Sequence, residues 1–288
     1  DTFWVLSYAT DKFYAYKVSS SGVNTTPVTS TTSHFANDRR GYLKISPNGK
    51  KVAIAHMAES QFLLYDFNKT DGTVTNEKSL PLVSSTDANH PYGVEFSSNS
   101  EKLYVHASND FFSNVPTVWN NPSNHLSILY QFDISSNITS DIIDSREIID
   151  SRNLYRGGLQ LGPDQKIYRA LSSTYSIGMG SLGVIENPEN DGLTCNYKHA
   201  EIALAGKNST QGLPPFIASI FSQIEITSID NSGDTITLND QTTNVCTGDT
   251  FDIIPEPLTG TATYSWYFNG STVPISNEIK LSLANVSL

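Results

Sequence analysis

Apolar and polar residues alternate along most of this chain in short runs, and three segments repeat one arrangement. Each begins with an alternating apolar run, passes a turn rich in Ser, Pro, Asn, Asp or Gly, and continues through a basic residue into a second alternating run. The segments are YLKISPNGKKVAIAH (42–56), GVEFSSNSEKLYVHA (93–107) and GLQLGPDQKIYRAL (158–171). Alternation with a period of two on both sides of a polar turn predicts a β-hairpin in each segment.

A second pattern, a strand that ends in a polar turn, alternates with these hairpins. It occurs at residues 13–23, 62–74, 129–139 and 182–193. The equivalent positions Ile45, Phe96 and Leu161 lie 51 and then 65 residues apart. Four strands in about 50 residues describe one blade of a β-propeller, which buries both faces of its sheet by stacking on its neighbours. The sequence therefore predicts an all-β fold with propeller blades over residues 1–226.

This count gives four blades, the first without its opening strands, so we expect the later blades of a larger ring of about seven. Residues 227–243 are polar and predict a linker. Residues 244–288 predict the start of an immunoglobulin-like β-sandwich, because Cys246 precedes Trp266 by about 20 residues, as in strands B and C of that fold. Cys195 lies in the propeller, so no disulfide between the two cysteines is expected.

Composition narrows the classes of function. The chain has 29 acidic and 18 basic residues, and its net charge of -11 disfavours binding to nucleic acid or to an anionic lipid surface. No apolar run reaches the roughly 18 residues of a membrane span. Only 16% of the residues are charged, while Ser, Thr and Asn are abundant, a balance common in exported β proteins. Because the chain opens directly on a strand pattern, it reads as a fragment of a longer protein.

The repeats resemble those of a family of large surface or secreted proteins of the Bacteroidetes, often labelled gliding-motility-associated. The segments that carry the resemblance include FYAYKVSSSGV, GYLKISPNGKKVAIA, YGVEFSSNSEKLYV, GGLQLGPDQKIYRA and LGVIENPENDGLTCNY, between residues 3 and 221. The segments VCTGDTFDI and YSWYFNG resemble the immunoglobulin-like (PKD-type) repeats that follow the propeller in that family. Two positions depart from the pattern, since Arg169 and Pro215 stand where a more apolar and a more polar residue are expected.

The resemblance implies export by the type IX secretion system and a role in adhesion, gliding motility or surface assembly. Type IX secretion or motility components, and a surface glycan or protein, are the partners that it implies. No catalytic residue is established for the family, so none is carried over. We therefore expect a non-catalytic binding protein at the cell surface or outside the cell. Two alternatives are a propeller enzyme, such as a lactonase or polysaccharide hydrolase, and a cargo or accessory subunit of the secretion machinery.

A long insertion, residues 108–125, is the strongest candidate for ligand binding. Long loops in compact domains are often functional. This one places Phe111, Phe112, Trp119 and His125 among Asn and Ser residues, a mixture suited to stacking on a sugar ring while amides bond to its hydroxyls. The alternative is that these aromatic side chains cover an edge of the propeller.

Metal and cofactor sites are not predicted. The six histidines are scattered singly, without a paired His at i, i+4. Ca²⁺ is the only cofactor suggested, at NPENDG (187–192) and DNSGD (230–234), although turn formation explains both segments and neither has EF-hand spacing. A propeller enzyme would need a channel cation, for which Asn89, Glu95 and Asp164 are the candidate ligands.

One modification site is also predicted. Asp234, Thr235 and Ile236 match a short pattern that resembles the O-glycosylation site of exported Bacteroidetes proteins, with Thr235 as the modified residue.

Overall fold

The computed structural model describes residues 2–82, 88–217, 226–229, 235–237, 251–255, 265–266 and 274–283. Contacts divide the chain into two units. One comprises Trp4–Lys17 and Val23–Ser222, and the other comprises Asp1–Phe3, Val18–Gly22 and Gln223–Leu288. The described residues form 20 strands and only short helices, which confirms the all-β prediction. None of these helices is long and apolar enough to cross a membrane.

Consecutive groups of four strands form four four-stranded sheets, one after another along the sequence. The first contains β1 (Thr2–Ala9), β2 (Lys12–Ser19), β3 (Gly22–Val23) and β4 (Val28–Thr31); the second contains β5 (Leu43–Ile45), β6 (Lys51–His56), β7 (Gln61–Phe67) and β8 (Val74–Ser79). The third contains β9 (His90–Phe96), β10 (Lys102–Ser108), β11 (Ser127–Asp133) and β12 (Glu147–Arg152); the fourth contains β13 (Leu159–Leu161), β14 (Ile167–Arg169), β15 (Ser181–Ile185) and β16 (Tyr197–Ala203). Helices are α1 (Pro116–Trp119) and α2 (Thr139–Asp144), with 3₁₀ turns at Pro122–Asn124 and Gly192–Cys195.

The three predicted hairpins are confirmed as β5–β6, β9–β10 and β13–β14, and all three pairs are antiparallel. The same backbone hydrogen bond closes each turn. In it, an N–H at the end of the first strand donates to the carbonyl of the predicted basic residue: Ser46 to Lys51 (2.9 Å), Ser97 to Lys102 (2.9 Å) and Gly162 to Lys166 (2.8 Å). The repeated turn chemistry therefore sets the register of each hairpin.

Alternate residues of one strand pack against opposite neighbouring sheets. In β6, Val52 and Ile54 lie in a core with Phe13 of the first sheet, whereas Ala53 and Ala55 lie in a core with Val94 of the third. In β10, Leu103 and Val105 face the second sheet and Tyr104 faces the fourth. Consecutive sheets thus stack face to face, and these four sheets are blades of a β-propeller. The ring of about seven blades stays a prediction.

The first strands of the second, third and fourth blades, β5, β9 and β13, lie close together, and we call them the inner strands. The backbone N–H of Tyr42, before β5, donates to the carbonyl of Tyr92 in β9 (2.8 Å). The segment after the fourth blade returns to the same place, where the Leu213 N–H donates to the Tyr42 hydroxyl (3.0 Å) and Gln211 accepts from Gly158 (2.7 Å). Hydrogen bonds between distant residues therefore hold the inner strands together.

A separate sheet contains β17 (Ile226–Ile229), β18 (Thr235–Thr237), β19 (Phe251–Pro255) and β20 (Leu281–Leu283). β17 pairs antiparallel with both β18 and β19. β18 and all but the first residue of β17 lie in the range predicted as a linker, because their Thr and Ile residues have high β propensity. Cys246, on which the immunoglobulin-like prediction depends, lies outside the described residues. Cys195 is a buried free thiol in the core between the third and fourth blades.

Arg169 ends β14 and is fully buried, at a position where the sequence pattern predicted an apolar residue. Its guanidinium donates to Asp150 Oδ2 (2.8 Å), to Ser127 Oγ (3.0 Å), to His106 Nδ1 (3.0 Å) and to the Tyr197 hydroxyl (3.1 Å). A buried charge is tolerated when it is paired and hydrogen-bonded in this way. The Arg169 network thereby joins the third blade to the fourth.

We predict that Arg169→Met lowers the free energy of unfolding by about 3–5 kcal/mol, because it removes the central donor of a buried network and leaves Asp150 with only the partly exposed Arg152 as its ionic partner. Urea titration followed by circular dichroism measures the loss. Arg39→Met, at an exposed arginine, is the control and should change stability by less than about 0.5 kcal/mol. Equal losses for the two variants would contradict the assignment.

A second prediction concerns His106, which donates through Nε2–H to the Tyr155 carbonyl (2.8 Å). Burial and the nearby Arg169 charge hold the pKa of His106 well below its usual value, so the folded chain keeps it neutral. Below about pH 6.5 the unfolded chain takes up a proton there that the folded chain does not, and stability falls with pH. His106→Gln should make the decline between pH 7 and 5 shallower, by up to about 1.4 kcal/mol per pH unit. Identical slopes in urea titrations at pH 7, 6 and 5 would refute this.

Candidate functional site

The connections at one end of the blades form what we call the loop face. The inner strands start at this end, and because neighbouring strands are antiparallel, the β6–β7, β10–β11 and β14–β15 connections lie there too. With the adjoining strand ends, the loop face comprises residues 34–42, 56–60, 90–92, 109–126, 154–158, 172–180 and 209–213. Loops held on a rigid scaffold are where binding residues concentrate.

The predicted insertion is an ordered part of this face. Proline stands at the first position of both α1 and the following 3₁₀ turn, where its missing N–H costs nothing. The Asn109 side chain bridges the two ends of the insertion, accepting from the Leu126 N–H (3.1 Å) and donating to the Asn124 carbonyl (2.9 Å). Asn124 in turn donates to the Val118 carbonyl (2.9 Å). The Asn residues thus satisfy the backbone of the loop and hold its shape.

The four residues predicted for ligand binding belong to one continuous set of ring contacts, which we call the aromatic row. Neighbouring ring centroids are 4.6–5.9 Å apart. In order, the row consists of Phe111, His125, Tyr155, Tyr175, Trp119 and Phe112. The fourth blade supplies Tyr155 and Tyr175, which the sequence did not single out. Only the packing of the third blade on the fourth brings them to the insertion.

The Phe112 end of the row is exposed to solvent. Phe112 is 62% exposed and Tyr175 is 48% exposed, and half-buried Trp119 packs between them. The Trp119 and Tyr175 rings lie 4.6 Å apart at an interplanar angle of 30°. These three side chains form an outward-facing surface, the aromatic platform.

His125 supports the platform from below. Its ring is fully buried, with edge-on contacts to Phe111 and Tyr155, and its Nε2 lies 2.7 Å from the Trp119 carbonyl oxygen. A ligand on the platform would therefore touch Trp119 and not the imidazole.

Asp110 anchors the insertion to the fourth blade. Its Oδ1 accepts from the Tyr155 hydroxyl (3.1 Å) and from Arg156 Nε (2.9 Å) and Nη2 (2.6 Å). Burial and the Asp110 carboxylate raise the pKa of Tyr155, so the phenol stays protonated and donates. The Arg156 guanidinium lies over the Tyr155 ring at 4.8 Å and over the Tyr92 ring at 5.8 Å. This ion pair holds the aromatic row in place.

A polar cleft of about 370 Å³ opens beside Tyr175. It is lined by hydroxyl, amide and glycine residues: Ser172, Tyr175, Ser176, Gly178, Ser209, Thr210, Gln211 and Gly212. Gln211 Nε2 donates to the Tyr175 carbonyl (3.0 Å) and so joins the two walls. The exposed aromatic side chains thus border a surface rich in hydrogen-bonding groups.

The residues proposed for a channel cation do not come together. Glu95 is 1% exposed, and its Oε2 accepts from Lys44 Nζ (2.7 Å) and from the Leu161 N–H (3.0 Å). Lys44 also donates to Gln160 Oε1 (2.8 Å), so the three inner strands meet at an ammonium group. Asp164 lies in the β13–β14 turn, at the opposite end of the blades from Asn89. A cation at Glu95 would have to compete with Lys44.

Of the two segments considered for Ca²⁺, the structure describes residues 187–192. In 187–192, the carboxylates contact the third blade: Glu189 accepts from Ser98 Oγ (2.5 Å) and from the Asn99 N–H (3.1 Å), and Asp191 lies 2.5 Å from Lys102 Nζ. These contacts explain the acidic residues as packing partners. Residues 230–234 lie outside the described part of the chain. Thr235 is the first residue of β18, and its modification stays a prediction.

Two of the histidines that appear scattered in the sequence are neighbours in space. The His34 and His56 rings lie 4.2 Å apart on the loop face, and Glu59 lies beside them. Burial and the nearby His34 lower the pKa of His56 to about 4. The 22-residue separation of the two histidines gave no local signal, because their meeting depends on how the β4–β5 connection crosses the second blade.

Comparisons with known proteins leave the family open. No family model matches the sequence, and no curated protein matches it. The fold resembles a putative 6-phosphogluconolactonase from Bacteroides uniformis, with 11% identity over 97% of this chain and 71% of the other and a TM-score of 0.39. It also resembles TolB from Acinetobacter baumannii (12% identity, 88% and 60% covered, TM-score 0.41). The Pseudomonas aeruginosa periplasmic gluconolactonase PpgL gives 11% identity, 99% and 70% covered, and a TM-score of 0.37. Likenesses this distant carry no conclusion about activity.

Proposed function

We propose that this chain is a non-catalytic binding module whose loop face takes a carbohydrate. One observation carries the proposal: an exposed aromatic platform, formed by Phe112, Trp119 and Tyr175, borders a cleft lined by hydroxyl and amide groups. The apolar face of a sugar ring packs on aromatic side chains, while its hydroxyls need donors and acceptors at the edge. The platform and the cleft supply both.

The rigidity of the platform also supports binding. Trp119 packs between Phe112 and Tyr175, and the partly buried Asp110–Arg156 pair fastens the insertion beneath it. A surface that is already ordered loses little conformational entropy when a ligand arrives. The chain's net charge of -11 favours a neutral or cationic ligand over a polyanion.

We also propose that the module acts at the cell surface, in adhesion or surface assembly. The support is the resemblance of its repeats to exported Bacteroidetes proteins, which implies type IX secretion and partners among secretion or motility components. None of the observations described above favours the hydrolase or the cargo alternative over this one. A glycan is the partner with chemical support on the loop face.

We predict that Trp119→Ala and Tyr175→Ala each weaken binding at least tenfold, a loss of about 1.4 kcal/mol, because each removes stacking area from the platform. A glycan array screened with the intact chain would identify the ligand, and calorimetry would give the dissociation constants. Ile148→Ala is the matched control, since Ile148 is 51% exposed on the outer strand β12. It should bind as the unmodified chain does.

Two outcomes would refute the proposal. One is an array without any ligand while the same chain turns over a substrate. The other is a glycan that binds the platform variants and the unmodified chain equally well. Circular dichroism of each variant would separate lost binding from lost folding.

A further inference from the structure

Three neighbouring side chains on the loop face each carry an unsatisfied polar atom. His34 Nε2, His56 Nε2 and Glu59 Oε2 are all buried, and none has a hydrogen-bond partner in the described part of the chain. The candidate ligand atoms of these three residues all lie within 4.8 Å of one another. A buried polar atom left unpaired costs about 1–3 kcal/mol, so three of them at one point require an explanation.

Hydrogen bonding among the three residues does not provide one. The His34 and His56 rings are tilted by 38° with centroids 4.2 Å apart, which places them side by side without a bond between their nitrogens. The Glu59 carboxylate uses only its other oxygen, Oε1, which accepts from the N–H groups of Asn37 (3.0 Å) and Asp38 (3.2 Å). One group that accepts all three lone pairs at once is a cation between them.

The geometry points to a zinc-type metal site formed by His34, His56 and Glu59. Two imidazole nitrogens and one carboxylate oxygen are ligands that Zn²⁺ and related transition metals prefer, whereas Ca²⁺ and Mg²⁺ take mainly oxygen. Ligand distances of about 2.0–2.2 Å in a tetrahedron place ligand atoms about 3.3–3.6 Å apart. Small side-chain rotations would bring the three atoms to that spacing. The three residues leave the fourth position of the tetrahedron open to water or to another ligand.

The fold positions each ligand before a metal binds. His56 is the last residue of β6 and is 3% exposed. Glu59 lies in the β6–β7 turn, and its bonds to the Asn37 and Asp38 N–H groups orient the carboxylate. The backbone of His34 is held by the Tyr8 hydroxyl, which donates to its carbonyl (2.5 Å). Partners of this kind, outside the direct ligands, orient the ligands of metal sites in proteins.

A structural consequence follows from where the ligands come from. His34 lies in the β4–β5 connection between the first and second blades, whereas His56 and Glu59 belong to the second blade. A bound metal would therefore tie this connection to the blade it leads into. It would stabilise the folded chain in proportion to its concentration, because the unfolded chain lacks the assembled site.

The test is zinc binding by the full chain after treatment with a chelator. We expect competition against a chromophoric zinc chelator to give one Zn²⁺ per chain, with a rise in melting temperature that Ca²⁺ does not reproduce. Glu59→Gln and His34→Gln should each weaken zinc binding about 100-fold or more. His199→Gln is the control, since His199 lies on the fourth blade, and it should bind zinc as the unmodified chain does.

A second measurement distinguishes loss of metal binding from loss of folding in the variants. Co²⁺ bound by the chelator-treated chain should show the visible absorption of a four-coordinate site, and Glu59→Gln should lose it while keeping the circular dichroism of the metal-free chain. Absence of stoichiometric zinc binding would overturn the assignment, and so would equal zinc affinity in the Glu59→Gln, His34→Gln and His199→Gln variants. Glycan binding by the aromatic platform is independent of this site and should survive metal removal.

Discussion

Stacking of one blade on the next is the contact on which the rest of this structure depends. A four-stranded sheet whose central strands are apolar on both faces cannot shield itself, and each Å² left in water forfeits about 25 cal/mol. β6 and β10 meet this requirement by sending alternate side chains to opposite neighbours. Because the second and third blades each lie between two others, polar groups in their central strands end up far from water. The Arg169 and Lys44 networks are therefore requirements of the stack, since each places a buried charge against partners from neighbouring strands or blades.

The parts of the fold that could be predicted from the sequence are local. Hairpin turns and period-two alternation involve residues within about 15 positions of one another, and all three predicted hairpins formed. Contacts between residues far apart in the sequence could not be predicted from it. Lys44, Glu95 and Gln160 occupy three different blades, and the partners of Arg169 come from four other strands. The same limit explains why Phe112 and Trp119 could be singled out in their loop while Tyr175 could not.

The loop face shows how a repeated scaffold acquires individual sites. The blades repeat one hydrogen-bonding scheme in their hairpin turns, yet their connections differ in length and content. The third blade carries the aromatic insertion, and the second carries the His56 and Glu59 turn. The aromatic row draws residues from two adjacent blades and forms only when they have stacked, whereas the metal site needs the second blade and the connection that leads into it. Binding chemistry and packing are coupled for this reason.

The hydrogen bond between the Leu213 N–H and the Tyr42 hydroxyl joins residues 171 positions apart. Closing so long a segment is entropically costly until the intervening sheets have formed. Hairpins of adjacent residues assemble in microseconds, whereas topologies rich in distant contacts fold in milliseconds to seconds. The inner strands are thus expected to gather late, after the blades have collapsed pairwise. During that interval the apolar faces of partly stacked blades lie open to solvent, so the slowest contact to form decides how long the nascent chain stays prone to aggregation.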